Sequence, residues 1–213
     1  MESEAGLSRE SLMSEIRSRH PAFLAAVLED ARVTALYRGE RYEFRSGTDA
    51  TLQALRLAWQ SDAFLAQVFY RAKARMQALG VPLLPRLAHR LAMSFGQVAI
   101  GDPVVMEPGV YLLHGQVVID GITEVHAGTT IAPFVTIGLR QGELRGPVVK
   151  SNTHVGTGAR VLGRITVGPN AQIGANAVVI SDVPEGATVV GVPAETPGNF
   201  SPIDSEATSE TAG

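Results

Sequence analysis

Thirteen aliphatic residues recur at six-residue spacing in the second half of the chain, and few folds accept that pattern. Ile100, Met106 and Leu112 are six apart; so are Ile119, Val125, Ile131 and Ile137; so are Val149, Val155, Val161, Val167, Ile173 and Val179. Four residues after most of these anchors stands a small or β-branched residue, as at Val104, Val110, Thr123, Thr129, Val135, Thr153, Ala159, Ile165, Ala171, Ala177 and Val183. Glycine often follows the anchor directly, as at Gly101, Gly138, Gly156, Gly168 and Gly174. Three such units close one triangular coil of about 18 residues, and coils stack at a strand spacing of roughly 4.8 Å. The anchor fills a narrow prism, and the residue four places on fits near a corner where little volume is left. A β-sandwich needs period-two alternation with frequent turns and cannot hold a six-residue phase this long. The pattern therefore predicts a parallel β-helix with one continuous core.

Two interruptions break the phase. Leu112 to Ile119 is seven residues, and His114 lies inside that interval. Residues 138–147 carry no anchor where one is due and read as a protruding loop. Repeat proteins commonly place such insertions on a binding face.

The first half is poor in glycine and reads as helical. Pro21 can open a helix through Ala22-Phe23-Leu24-Ala25-Ala26-Val27-Leu28. A break at Gly47-Thr48-Asp49 offers Thr48 or Asp49 as an N-cap. Residues 50–79 then show helical apolar spacing at Leu52, Leu55, Leu57, Phe64, Leu65, Val68, Phe69 and Met76, ended by Gly80 and Pro82. Residues 85–96 form one more short helix. The expected organisation is α+β: a helical domain over 1–96 that serves assembly, a β-helix over 97–196, and a polar, disordered tail over 197–213.

Composition narrows the function classes. Net charge is −3, which gives no electrostatic footprint for nucleic acid. No run of 18 apolar residues exists, so no membrane span is expected. There is no cysteine, which excludes disulfides, thiolate metal sites and a cysteine nucleophile, and fits a reducing cytoplasm. Residues 1–10 are acidic and lack an apolar signal core.

The repeats resemble those of the hexapeptide acyltransferases, and local motifs are most similar to the serine O-acetyltransferase branch. Phe64-Leu65-Ala66-Gln67-Val68-Phe69-Tyr70-Arg71 resembles that branch's helical segment before the β-helix. Leu113-His114-Gly115 falls where the branch has Asp-His-Ala. Val155-Gly156-Thr157-Gly158-Ala159-Arg160-Val161-Leu162-Gly163 is similar to its Ile-Gly-Ala-Gly-Ala-Lys-Ile-Leu-Gly, and Gly174-Ala175-Asn176-Ala177-Val178-Val179 with Val190-Gly191-Val192-Pro193-Ala194 to its closing coil. The resemblance implies a left-handed coil sense, acetyl-CoA as co-substrate, no metal, and transfer to the hydroxyl of a small-molecule acceptor, serine first, in cysteine biosynthesis. It implies a homotrimer or a dimer of trimers, with sites between adjacent β-helices.

By the same resemblance His114 is the general base, and Arg145 grips the acceptor carboxylate. Asp49 is a carboxylate lent by the helical domain, and Thr157, Gly158 and Ala175 are coil-edge positions along the CoA arm. His126 reads as outward-facing, His154 as a coil-corner residue, and His20 and His89 as structural or surface residues. Three departures stand out. Leu113 replaces the aspartate before the base, Gly146 replaces the second histidine in Arg145-Gly146-Pro147, and the base-orienting carboxylate falls at Ala99. Asp102 or Asp120 is a candidate substitute partner for His114. These departures leave open a different acceptor (another amino acid, a sugar or a specialised metabolite) or a non-catalytic binding trimer. In the family a terminal isoleucine docks into the partner sulfhydrylase; here Gly213 ends the sequence, so no stable complex with that partner is expected.

Overall fold

The computed structural model describes residues 9–196, so the polar tail lies outside the described residues. Five helices come first: α1 (Arg9–Ser18), α2 (Phe23–Tyr37), α3 (Gly47–Gln60), α4 (Asp62–Ala78) and α5 (Leu84–Gly96). The apolar spacing over 50–79 is two helices rather than one. Ser61 turns extended, with φ −130° and ψ 107°, and its hydroxyl accepts the Phe64 N–H to start α4. Likewise Ser46 caps α3, accepting the Asp49 N–H at 3.2 Å, in place of the expected Thr48 or Asp49. The buried face of α3 is Ala50, Ala54 and Leu57. Leu52 and Leu55, which share the helical period, point outward instead.

α5 ends at Gly96 and the strands begin at Val98. Face A of the prism stacks β1 (Val98–Ile100), β4 (Val117–Ile119), β7 (Thr136–Gly138), β10 (Arg160–Leu162) and β13 (Val178–Val179). Face B stacks β2 (Val105–Met106), β5 (Ile122–Val125), β8 (Arg145–Val149) and β11 (Thr166–Val167). Face C stacks β3 (Tyr111–Leu112), β6 (Thr130–Ile131), β9 (His154–Val155), β12 (Gln172–Ile173) and β14 (Thr188–Val189). All pairings between these strands are parallel, and the three faces close about five coils. Each of the thirteen anchors is 2% exposed or less. The positions four residues on are buried too. Where they are threonines, the hydroxyls are satisfied at the corners: Thr123 donates to Asp120 O and Thr153 to Lys150 O.

A stacked coil satisfies its backbone on the next coil, and the first coil has no predecessor. Its outer polar groups must find other partners or stay costly. The polar face of α4 supplies them. Gln67 donates to Val110 O, Arg71 to Met106 O and Glu107 O, and Lys73 to Ile100 O. The Tyr70 hydroxyl donates to Val104 O and accepts from Met106 N–H. These four side chains are buried. They seal the open end of the prism and fix the helical domain against it. Among the described residues no helix is long and apolar enough to cross a membrane.

Candidate functional site

His114 lies on the edge where face C turns into face A. Regular corners on this edge place a left-handed residue three positions after the anchor, as Phe134 stands after Ile131 and Asn176 after Ile173. In the first coil the equivalent residue is Gln116, φ 63°, four positions after Leu112. The extra residue of the seven-residue interval is thus held within Leu113-His114-Gly115. The bulge is fixed on both flanks: Leu113 N–H donates to Ile131 O at 3.0 Å and Gln116 N–H to Gln97 O at 2.9 Å. Gly115 presses on the end of α5, where a Cβ would fall 1.9 Å from Gly96 O. His114 itself is exposed, so the bulge presents an imidazole to solvent from a fixed backbone.

The same edge continues upward through Thr157, Gly158 and Ala175. Gly158 N–H donates to Pro133 O and Asn176 N–H to Thr157 O, so these corners stack coil on coil. Arg160 pins them from behind, its Nη1 donating to Phe134 O and Gly158 O, each at 2.6 Å. The histidine and the three small-corner residues therefore share one edge of the prism.

Arg145 does not. It opens β8 opposite Ile122, beside the edge where face A turns into face B. The protruding loop is shorter than expected, confined to residues 139–144, because Arg145, Gly146 and Pro147 already belong to β8. Gly146 is buried in that strand, and a Cβ there would lie 2.1 Å from Thr123 Oγ1. The departure from the second histidine thus has a steric basis: face B closes tightly at this point.

Asp102 and Asp120 also stand on the A–B edge. Asp102 pairs with Lys73 Nζ at 3.0 Å. Burial pushes its carboxyl up, but the ammonium of Lys73 and hydrogen bonds from Lys73 and Gln77 outweigh this and hold it low. Neither aspartate shares the edge of His114, so within one chain the expected substitute partner is not there. Asp49 is committed elsewhere too. Arg41 grips its two oxygens at 2.7 and 2.8 Å, and Arg45 N–H donates to it. The Arg41 guanidinium and the Arg45 N–H hold the Asp49 carboxyl far below the usual range.

Of the other histidines, His154, His126 and His20 each lie against neighbouring side chains. His154 stands in a strand of face C rather than at a corner, its Nδ1 2.6 Å from the Thr130 hydroxyl. His126 is half-buried, with Nδ1 3.1 Å from Glu107. His20 is wedged beside Tyr70, their ring centroids 6.1 Å apart. Burial and the cations Arg71, Lys73 and Arg19 lower it to about 4.

No protein-family model matches the chain. Among curated proteins it is 36% identical over 133 residues to the serine acetyltransferase of Synechococcus elongatus, covering 61% of this chain and 54% of that protein. It is 39% identical over 117 residues to that of Helicobacter pylori strain J99, covering 53% of this chain and 68% of that protein. The matched region spans about half the length of the Synechococcus relative. In fold it is similar to a serine acetyltransferase solved with CoA, with a TM-score of 0.68 at 24% identity over 87% of this chain and 74% of the other. It is likewise similar to the Neisseria gonorrhoeae enzyme solved with serine, with a TM-score of 0.67 at 24% identity over 87% of this chain and 82% of the other. On the extent and identity of the Helicobacter match, the chain belongs to the serine acetyltransferase family.

Proposed function

We propose that the protein is an acetyl-CoA-dependent O-acetyltransferase whose acceptor is the hydroxyl of L-serine. One observation carries the reading: a rigidly held, exposed histidine and a column of small-residue corners lie on the same prism edge. Relatives named serine acetyltransferase, and a similar fold solved with CoA, support the donor and the acceptor. His114 takes the serine hydroxyl proton as the oxygen attacks the thioester carbonyl. The tetrahedral intermediate collapses with cleavage of the C–S bond. The proton passes from His114 to the leaving sulfur, giving O-acetylserine and free CoA. Thr157, Gly158 and Ala175 leave room for the pantetheine arm along the edge.

The working unit in this proposal is a homotrimer. His114 and Arg145 stand on two edges separated by face A, so one chain does not unite them. Packing the C–A edge of one copy against the A–B edge of the next brings base and guanidinium to one groove, where Arg145 can hold the serine carboxylate through two parallel hydrogen bonds. The outward column of face A, which includes Ala99, Val118 and Val178, suits contact between copies. The stripe Leu52, Leu55 and Trp59 on α3 is 65%, 64% and 90% exposed and suits pairing of two trimers. Asp49 reaches the acceptor only by leaving Arg41. The proposed place of work is the cytoplasm, where acetyl-CoA is available.

A second reading keeps the donor and changes the acceptor. Leu113, Ala99 and Gly146 stand where the family resemblance expects acidic or histidine side chains, and serine's amino group seeks a carboxylate. Release of free thiol from acetyl-CoA, followed with serine and with a panel of other hydroxyl acceptors, separates the two. A clear preference for serine supports the first reading. Preference for another hydroxyl supports the second, and no release above hydrolysis with any acceptor defeats both.

A further inference from the structure

The C–A edge repeats one unusual backbone conformation. Gln116, Phe134, Gly158 and Asn176 hold equivalent places in successive coils, with φ of 63°, 64°, 75° and 57°. Glycine takes this left-handed state freely and asparagine tolerates it; a bulky aromatic is a genuine outlier there. Phe134 adopts it all the same. The residue is 53% exposed, so packing into the prism does not account for its presence. Outliers of this kind persist where the surroundings over-determine them and concentrate at functional sites. Here Arg160 provides the restraint, binding the carbonyls of Phe134 and Gly158.

Resting on the acyl-transfer reading above, we propose that Phe134 sets the length of acyl chain the enzyme transfers. Phe134 stands one coil from His114 and one coil from Thr157 and Gly158, at roughly 4.8 Å per coil. A thioester whose arm follows the small-residue corners must bring its carbonyl carbon within reach of the hydroxyl that His114 deprotonates. On that path the thiol end of the arm crosses the coil of Phe134, and the acyl group it carries lies beside the ring. The ring forms the wall that a methyl group clears and a longer chain meets.

The test is Phe134→Gly, a substitution the left-handed backbone favours, with Phe134→Leu as an intermediate. Acetyl-, propionyl- and butyryl-CoA are compared by kcat/KM with the best acceptor and, separately, by calorimetric affinity. The butyryl-to-acetyl ratio is expected to rise at least about tenfold in Phe134→Gly, the lower end of what one methylene decides in an apolar pocket. Phe134→Leu should fall between, and the melting temperature of the glycine variant should hold or rise. An unchanged ratio in both kinetics and affinity overturns the proposal. So does an unchanged ratio accompanied by loss of trimer mass, which makes the ring a subunit contact. A wild-type protein that binds acyl-CoA yet acylates no hydroxyl defeats the transferase reading alone, since the affinity ratios still test Phe134. One that binds no acyl-CoA removes both.

Discussion

Arg71 grips Asp30 through two hydrogen bonds, Nε to Oδ2 at 2.9 Å and Nη2 to Oδ1 at 3.2 Å, with both side chains buried. The same aspartate accepts Gly109 N–H at 2.9 Å, while Arg71 also donates to the carbonyls of Met106 and Glu107. One ion pair therefore ties α2, α4 and the first coil together. Breaking a buried pair by removing one partner leaves an uncompensated charge.

Arg71→Ala should accordingly cost about 3–5 kcal/mol of stability. Urea unfolding at neutral pH measures this directly. A loss under about 1 kcal/mol, the range of an exposed pair, would contradict the sealing role given to α4.

Gly146→His places a histidine where the family resemblance expects one. The buried strand resists it, because even the Cβ meets Thr123 Oγ1 at 2.1 Å. Overpacking of a tight core typically costs about 1–3 kcal/mol, so the variant should melt several degrees lower without gaining activity. A more active variant of unchanged stability would show that face B opens more readily than its packing implies.

The pH dependence of stability should carry a contribution from His20. Its folded value is lowered to about 4 from an ordinary 6.5, chiefly by burial and then by Arg71, Lys73 and Arg19. The unfolded chain therefore binds the proton first. The contribution is complete above pH 6.5 and is lost as pH falls toward 4. Since His20 is only partly buried, solvent screening limits the loss to roughly 1 kcal/mol. Melting temperature from pH 7 to pH 5 should fall less steeply in His20→Gln than in the parent, and parallel curves would refute the assignment.

Within the prism, Ile137→Ala should cost about 2–5 kcal/mol, since the side chain is fully enclosed. Leu144→Ala, in the A–B loop and 74% exposed, should stay within about 0.5 kcal/mol. Denaturant midpoints for the pair would show whether the six-residue phase, rather than hydrophobicity alone, marks the core.

The β-helix was legible because its rule is local: one anchor every six residues, each enclosed by coil geometry. The helices were less legible. Gln67, Tyr70, Arg71 and Lys73 look like a solvated helix face, yet they are buried against the first coil. Their spacing becomes informative only once that coil is known to lack a predecessor. Leu52 and Leu55 misled in the other direction, being apolar and exposed. At the site, the seven-residue interval correctly located the His114 bulge. What the spacing could not show is that Arg145 lies on a different prism edge, or that Asp102 is committed to Lys73. Phe134 escaped notice because a left-handed aromatic leaves no mark on the period.

Subunit complementation tests most directly whether base and guanidinium meet only between copies. His114→Ala and Arg145→Ala, each prepared alone, should release little or no CoA with serine. Co-expressed, they form mixed trimers in which some grooves receive His114 from one chain and Arg145 from its neighbour. Random mixing around a closed ring leaves about a quarter of the grooves intact, and activity should return to roughly that fraction of wild type. Recovery near this level is the predicted result. Mixed trimers as inactive as either parent would place His114 and Arg145 in the same chain's site, and full activity of His114→Ala alone would remove the base.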